Sequence, residues 1–166
     1  MNHDICSYDI ALRPVTPEDF PTIEDWLHKA YIRKWYGDPQ DWMAEIRNDS
    51  GTFGWLRHLM AIDGATPIGF CQYYDCAQTQ PGFAWEHEPP GTFGIDYLIG
   101  EEAYLHKGLG NVLLQALIRR IGTRENAVRL IADPVPENMQ SIRLLTRNGF
   151  ALDPATGLYG LPLNRV

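Results

Sequence analysis

Cysteine is scarce in this chain: only Cys6, Cys71 and Cys76 occur among 166 residues. An odd count with no second Cys pair and no His pair at ligand spacing argues against a disulfide framework and a zinc site, so no metal is expected, and free thiols in a reducing cytoplasm fit instead. Long apolar runs are missing too, which excludes a membrane-spanning helix, and the opening Met1 to Ile5 has neither the basic nor the apolar stretch of an export signal. Positive charge is short: 14 Lys and Arg face 21 Asp and Glu, for a formal net charge of -7. A nucleic-acid binder needs a basic face, so that class is disfavoured and cationic partners are favoured. No internal repeat, low-complexity stretch or linker interrupts the chain, and a single domain over 1–166 is expected.

What is present is core material, with 45% hydrophobic residues including five Trp, eight Tyr and six Phe. Ile10 and Leu12 alternate as a first strand that stops at Pro14. Thr16 to Asp19 reads as a helix start, and Phe20, Ile23, Leu27, Ala30 and Tyr31 follow at helical spacing, with Pro21 marking where the regular helix can begin. From Tyr31 to Leu56 the aromatics Trp35, Tyr36, Trp42, Phe53 and Trp55 stand among Gly37, Pro39 and Gly51, which predicts a loop with one short helical run near Trp42 to Arg47. Leu59 to Ile62 and Ile68 to Tyr74 flank Asp63-Gly64, a hairpin signal. A long loop is expected from Gln78 to Gly91. Thr92 to Ile99 reads as a strand with Phe93, Ile95, Tyr97 and Ile99 on one face and Asp96 on the other. A helix from Leu109, a strand from Val128 to Ala132, a helix from Pro136 to Asn148 stopped by Gly149, and two short strands at 150–152 and 158–163 complete the chain.

Two motifs carry chemistry. In the first, a strand is followed by His106-Lys107-Gly108-Leu109-Gly110-Asn111 at a helix start, where unpaired amides and the helix dipole can hold a phosphate and glycines let its oxygens approach the backbone. A plain turn is the competing reading, and the spacing fits neither a Walker loop nor a dinucleotide fingerprint. In the second, the strand from Val128 ends in Asp133-Pro134, and Asn138 stands at the front of a helix that ends eleven residues later in Gly149-Phe150.

Together these motifs resemble the GNAT superfamily of acyl-CoA-dependent N-acyltransferases, whose phosphate loop reads Gln/Arg-x-x-Gly-x-Gly/Ala; here it runs from Leu105 to Gly110. Within that superfamily the chain is most similar to the aminoglycoside 6'-N-acetyltransferases, an antibiotic-resistance group. That likeness runs through Trp35-Tyr36-Gly37, Pro67 to Phe70, Gly94-Ile95-Asp96, Gly108 to Gly110, and Asp133-Pro134 with Asn138. The resemblance implies an α/β GNAT fold, a mixed and mostly antiparallel twisted sheet flanked by helices and splayed centrally for acyl-CoA. It implies acetyl-CoA as donor, with Tyr97, Leu98 and Ile99 offering backbone to the pantetheine arm. Leu105, His106, Lys107, Gly108, Leu109, Gly110 and Asn111 would wrap the pyrophosphate, and Asn138 would contact the arm near the thioester.

Asp96 is implied as general base, since a protonated amine cannot attack a thioester until a carboxylate takes its proton. Main-chain amides at a strand bulge near Leu98 would stabilise the oxyanion. Asp133 is implied as a second acceptor-side carboxylate, and Trp35, Tyr36, Trp85, Glu86 and Glu88 could form an aromatic and acidic wall around a small polycationic amine. Read from the residues alone, Asp96 could instead sit on a solvated strand face, the tryptophans could be core, and Lys107 could be a hydrated surface lysine. The chain departs from the family at three positions. Leu145 stands where many members have a Tyr able to protonate the leaving thiolate, Leu105 replaces the usual Gln or Arg, and Pro81 stands where relatives have an acidic substrate contact. The expected reaction is direct acetyl transfer to a primary amine, favouring the 6'-amine of an aminoglycoside. Alternatives are a lysine-like, polyamine or peptide amine as acceptor, or a catalytically silent CoA-binding sensor.

Overall fold

The computed structural model describes residues 8–48 and 55–163; Cys6, Gly51 and Phe53 lie outside them. Among the described residues seven strands form one sheet in the order β1-β2-β3-β4-β5-β7-β6, built from β1 (Ile10–Pro14), β2 (Leu56–Asp63), β3 (Thr66–Asp75), β4 (Thr92–Ile99), β5 (Arg129–Ala132), β6 (Ala151–Leu152) and β7 (Tyr159–Pro162). All neighbours are antiparallel except β4 and β5. The hairpin between β2 and β3 turns at Gly64, whose φ of 60° a side chain would resist.

Strand alternation sends residues to two helical layers. Leu59, Cys71, Tyr73, Phe93 and Ile95 pack beneath α4 (Leu109–Arg124) and α5 (Met139–Arg147), meeting Leu113, Leu117 and Leu145. Met60, Phe70 and Leu98 face the opposite layer of α1 (Phe20–His28), α2 (Ala30–Tyr36) and α3 (Pro39–Arg47), meeting Trp26, Ile32 and Met43. The β2–β3 register shifts between Ala61 and Ile62, so that Ile68 falls on the α4 side although Phe70 points away from it.

The start of α1 follows the expected pattern, with Pro21 inside the first turn, where its missing N–H breaks no bond. The segment after Tyr31 does not. The helical spacing through Tyr31 is cut at Lys29, whose ψ of 133° is extended, and a separate α2 runs to Tyr36 where a loop was expected. Gly37, at φ 75°, ends it. The last helix is shorter than its pattern, beginning at Met139 rather than Pro136, because Asn138 caps it: the Asn138 side-chain oxygen accepts the Ser141 amide at 3.2 Å. Gly149, at φ 89°, closes α5 as expected, with the Phe150 amide bonded back to the Leu145 carbonyl.

Candidate active site

The parallel pairing of β4 with β5 covers only Thr92↔Arg129, Phe93↔Leu130 and Gly94↔Ile131. Beyond Gly94 the two strands part, and the edge of β4 from Ile95 to Ile99 has no strand beside it. Two cavities meet along this edge. One, of about 140 Å³, is lined by Trp35, Tyr36 and Trp42 from the first helical layer, Ile95, Asp96 and Tyr97 of β4, Ala132 to Val135 after β5, and Asn138 and Ser141 of α5. The other, of about 210 Å³, is a groove running past Tyr31, Tyr97, Leu98, Ile99 and Leu105 to Gly110, with Asn138, Ser141 and Leu144 on its far wall. Tyr97, Ser141, Asn138, Trp35 and Tyr36 belong to both.

Asp96 projects from β4 into the first cavity, on the face covered by α2 and α3 and not on a solvated one. Among the described residues its one side-chain partner is Gln72, directly across the β3–β4 ladder, whose Nε2 donates to Oδ2 at 2.9 Å. Burial in this apolar layer pushes the Asp96 carboxyl up to about 6, and the Gln72 hydrogen bond pulls partly the other way. Such a carboxylate is still ionised at neutral pH yet basic enough to take a proton, as a general base requires. Asp133 stands at the exposed rim of the same cavity, with its carboxyl also raised by partial desolvation.

The β3–β4 register runs without a shift from Gly69↔Ile99 to Asp75↔Phe93, so the bulge expected near Leu98 is absent from this ladder. The Leu98 carbonyl is turned toward β3, where a side chain on Gly69 would strike it. The Tyr97 and Ile99 carbonyls point instead to the open edge, where the Tyr36 and Tyr31 hydroxyls donate to them. Because a strand residue presents its N–H and C=O to the same edge, the amides of Tyr97 and Ile99 face the groove and that of Leu98 does not.

The groove leads to the start of α4. His106 and Gly108 have positive φ (60° and 76°), Gly108 caps the helix with no side-chain cap bond, and a Cβ there would meet nothing within 4 Å. The first-turn amides are thus presented with open space before them, a geometry suited to a pyrophosphate. His106 and Lys107 are exposed beside them, with the Lys107 ammonium 5.9 Å from the centre of the Tyr104 ring. Leu109 is buried in the core, while Asn111 holds α5 through a hydrogen bond from Asn148 at 2.8 Å.

Three residues expected at the acceptor wall do not line either cavity. Trp85 stacks on Phe83 at 4.6 Å, leans on Tyr74 and donates its indole N–H to Thr79. Glu88 is paired with Arg129 at 3.0 Å, and Glu86 accepts the Gly82 amide. These contacts pin the loop onto itself and onto β5, and an ion pair leaves Glu88 little to offer an ammonium. Residues that the motifs did not single out line the cavities in their stead: Trp42, Tyr31 and Ser141, with Gln72 behind Asp96. Only strand pairing reveals Gln72, and only the α2–β4 packing reveals Tyr31.

Residues 16–157 match the acetyltransferase (GNAT) domain family. An aminoglycoside N(6')-acetyltransferase type 1 from Klebsiella pneumoniae is 28% identical over 152 residues, covering 85% of this chain and 73% of the relative. A kanamycin resistance protein from Rhizobium radiobacter is 36% identical over 67 residues, covering 40% of this chain and 62% of that protein. Among solved structures, aminoglycoside acetyltransferase AAC(6')-Ib in complex with coenzyme A superposes with a TM-score of 0.82 at 25% identity, covering 93% of this chain and 95% of the other. With its splayed β4–β5 edge, its open α4 start and this match over most of its length, the chain belongs to the GNAT acetyltransferases and is an acetyl-CoA-dependent N-acetyltransferase.

Proposed function

We propose that the protein acetylates a primary amine of a small polycationic acceptor, the 6'-amine of an aminoglycoside, with Asp96 as the general base. The observation that carries this reading is the half-buried Asp96 carboxyl, pushed up to about 6 and set in an aromatic cavity at the point where β4 and β5 part. The relatives named above support the acceptor class: AAC(6')-Ib has been crystallised with coenzyme A and kanamycin, and this chain shares its fold.

The acyl donor is a substrate of the reaction. The groove along β4 and the first-turn amides of α4 fit its pantetheine arm and pyrophosphate, with Tyr97 and Ile99 offering backbone, His106 to Asn111 wrapping the phosphates, and Asn138 beside the thioester. Asp96 takes the proton that keeps the amine from attacking. The amide of Tyr97, facing the open edge, takes the oxyanion role that the motif reading gave to Leu98. Trp35 and Tyr36 wall the acceptor, with Asp133 at the rim for a second ammonium. The buried free thiols of Cys71 and Cys76 fit a cytoplasmic enzyme.

One observation favours a smaller acceptor. With Glu86 and Glu88 outside the cavity, two carboxylates line it, which is enough for a lysine-like amine or a short polyamine. Release of free thiol from saturating acetyl-CoA, measured against 6'-amino aminoglycosides, polyamines and amino acids, separates the two. The highest kcat/KM is expected for 6'-amino aminoglycosides. Turnover confined to a lysine-like amine replaces that acceptor, and binding of CoA with no turnover on any amine returns the protein to a sensor.

A further inference from the structure

We propose that the Tyr97 hydroxyl, held by Ser141, protonates the sulfur that leaves when the acetyl group is transferred. This rests on the acetyl transfer assigned above. As the carbon–sulfur bond breaks, its electron pair passes to sulfur, and the thiolate left in the groove needs a proton or a donor. Leu145 can supply neither, being fully buried in the core beneath α5.

Side chains on a helix lean toward its N-terminus, so a hydroxyl carried at position 145 would lie over the residue one turn earlier, which is Ser141. At that place the protein already holds a phenol, brought from β4 instead of α5: Tyr97 Oη lies 3.0 Å from Ser141 Oγ. Both residues line the acceptor cavity and the donor groove alike, so the pair stands where the two meet and where the acyl group must pass. Ser141 is itself fixed, its amide bound by the Asn138 side chain.

Two other phenols reach the same edge, but their protons are committed. Tyr36 donates to the Tyr97 carbonyl, and Tyr31 donates to the carbonyls of Ile99 and Gly100. Among the described residues the Tyr97 hydroxyl is bound to one other hydroxyl, that of Ser141, which can accept its proton or return one. The balance closes without a further reactant: the Tyr97 proton goes to sulfur to give the free thiol, Ser141 passes a proton back to the phenolate, and solvent water restores Ser141. The ammonium gives one proton to Asp96 before it attacks and a second as the adduct collapses to the amide; that second proton passes to water and makes good the one that water returns to Ser141, so one proton is released for each amide formed.

The test is Tyr97→Phe, which keeps the ring and removes the proton. Turnover, on the amine that the wild type uses best, should fall by about 10²-fold in kcat with KM for both substrates unchanged. The melting shift induced by CoA should also persist. Placing Leu145→Tyr in the Tyr97→Phe background returns a hydroxyl to the same spot from α5 and should recover about tenfold of the loss, which a merely structural role for Tyr97 would not allow. If the double variant fails to fold, kcat and the CoA shift of the single variant decide alone. A Tyr97→Phe enzyme within about twofold of wild-type kcat overturns the inference, as does loss of the CoA shift together with turnover, or a folded double variant that recovers nothing. A wild type that releases thiol with no amine overturns the proposed function and this inference with it. A wild type that turns over alongside an equally active Tyr97→Phe overturns this inference only.

Discussion

Asp19 and Asp96 are both carboxylates withdrawn from solvent in the same small fold, and their surroundings are opposite. Asp19, at the start of the first helical layer, is 6% exposed and receives four hydrogen bonds: two from the Arg13 guanidinium at 2.6 and 2.8 Å, one from the Thr16 amide and one from the Thr16 hydroxyl. Asp96 receives one, from Gln72. The Arg13 guanidinium therefore holds the Asp19 carboxyl below its usual range, while burial without a cation pushes Asp96 up to about 6. Burial alone does not make a carboxylate reactive. What separates the structural residue from the candidate base is how many donors satisfy it.

The largest effect expected from breaking this contrast is on turnover. Asp96→Asn keeps the shape and the Gln72 contact but cannot take a proton, so kcat should fall by about 10²-fold or more while CoA still raises the melting temperature. Near-wild-type turnover, measured where the acceptor amine is mostly protonated, would return Asp96 to a packing role.

The pH profile sharpens the same comparison. Asp96 works as a base only when ionised, so kcat should fall by about tenfold for each pH unit below 6. Because the Gln72 hydrogen bond lowers the Asp96 pKa, Gln72→Leu should move this acidic limb to higher pH. A limb that stays in place would show that Gln72 does not set the acidity of Asp96.

Stability should respond at Asp19 with the opposite sign. Its folded pKa is lowered, so its stabilising contribution is present above the ordinary carboxylate pKa and is lost as pH falls through the lowered value. Asp19→Ala removes both the cap and the partner of Arg13, and should cost about 2 kcal/mol at neutral pH, read by urea unfolding. Turnover at a temperature where both variants are folded should not change.

The smallest effect is a gain. A folded pKa raised above the unfolded value means that the ionised Asp96 costs stability at neutral pH, a cost that shrinks as pH falls through about 6 and is gone below the ordinary carboxylate value. Asp96→Asn should thus stabilise by roughly 1–2 kcal/mol at pH 7. Gln72 Oε1, buried and unpartnered, can accept from the new amide once the Gln72 side chain turns over. An unchanged or lower melting temperature for Asp96→Asn would contradict the strained state assigned to this carboxylate.

Much of the site was legible because it is carried by short-range signals. Gly108 has to be glycine-like for its positive φ and for the open approach to the α4 amides, and that need shows in the Gly-x-Gly spacing before an apolar helical repeat. Asp96 stood out as the lone charge in an apolar alternating strand, and Asn138 by its place after Asp133-Pro134 at the front of a periodic run, though its capping role did not. The helix α2 was not legible. Its aromatics and the flanking Gly37 and Pro39 read as loop, and it is helical because Ile32 buries in the layer with Trp26 and Met43 while Tyr31 and Tyr36 bond to β4. The Gln78 to Gly91 loop misled for a similar reason: its acidic and aromatic residues look like a binding wall until Arg129, Tyr74 and Thr79 are seen to occupy them.

The sequence by itself determined the local events: where strands alternate, where α1 and α4 start and where α5 stops, which turn takes Gly64, and that one carboxylate falls in an apolar strand. Each depends on residues only a few positions apart. The tertiary structure decided which face Asp96 looks toward, that β4 parts from β5 after Gly94, that the Tyr97 amide meets the groove instead of that of Leu98, and that Tyr97 and Ser141, 44 positions apart, share a hydrogen bond. These depend on strand order and on the partners that burial brings together, and no spacing along the chain encodes them.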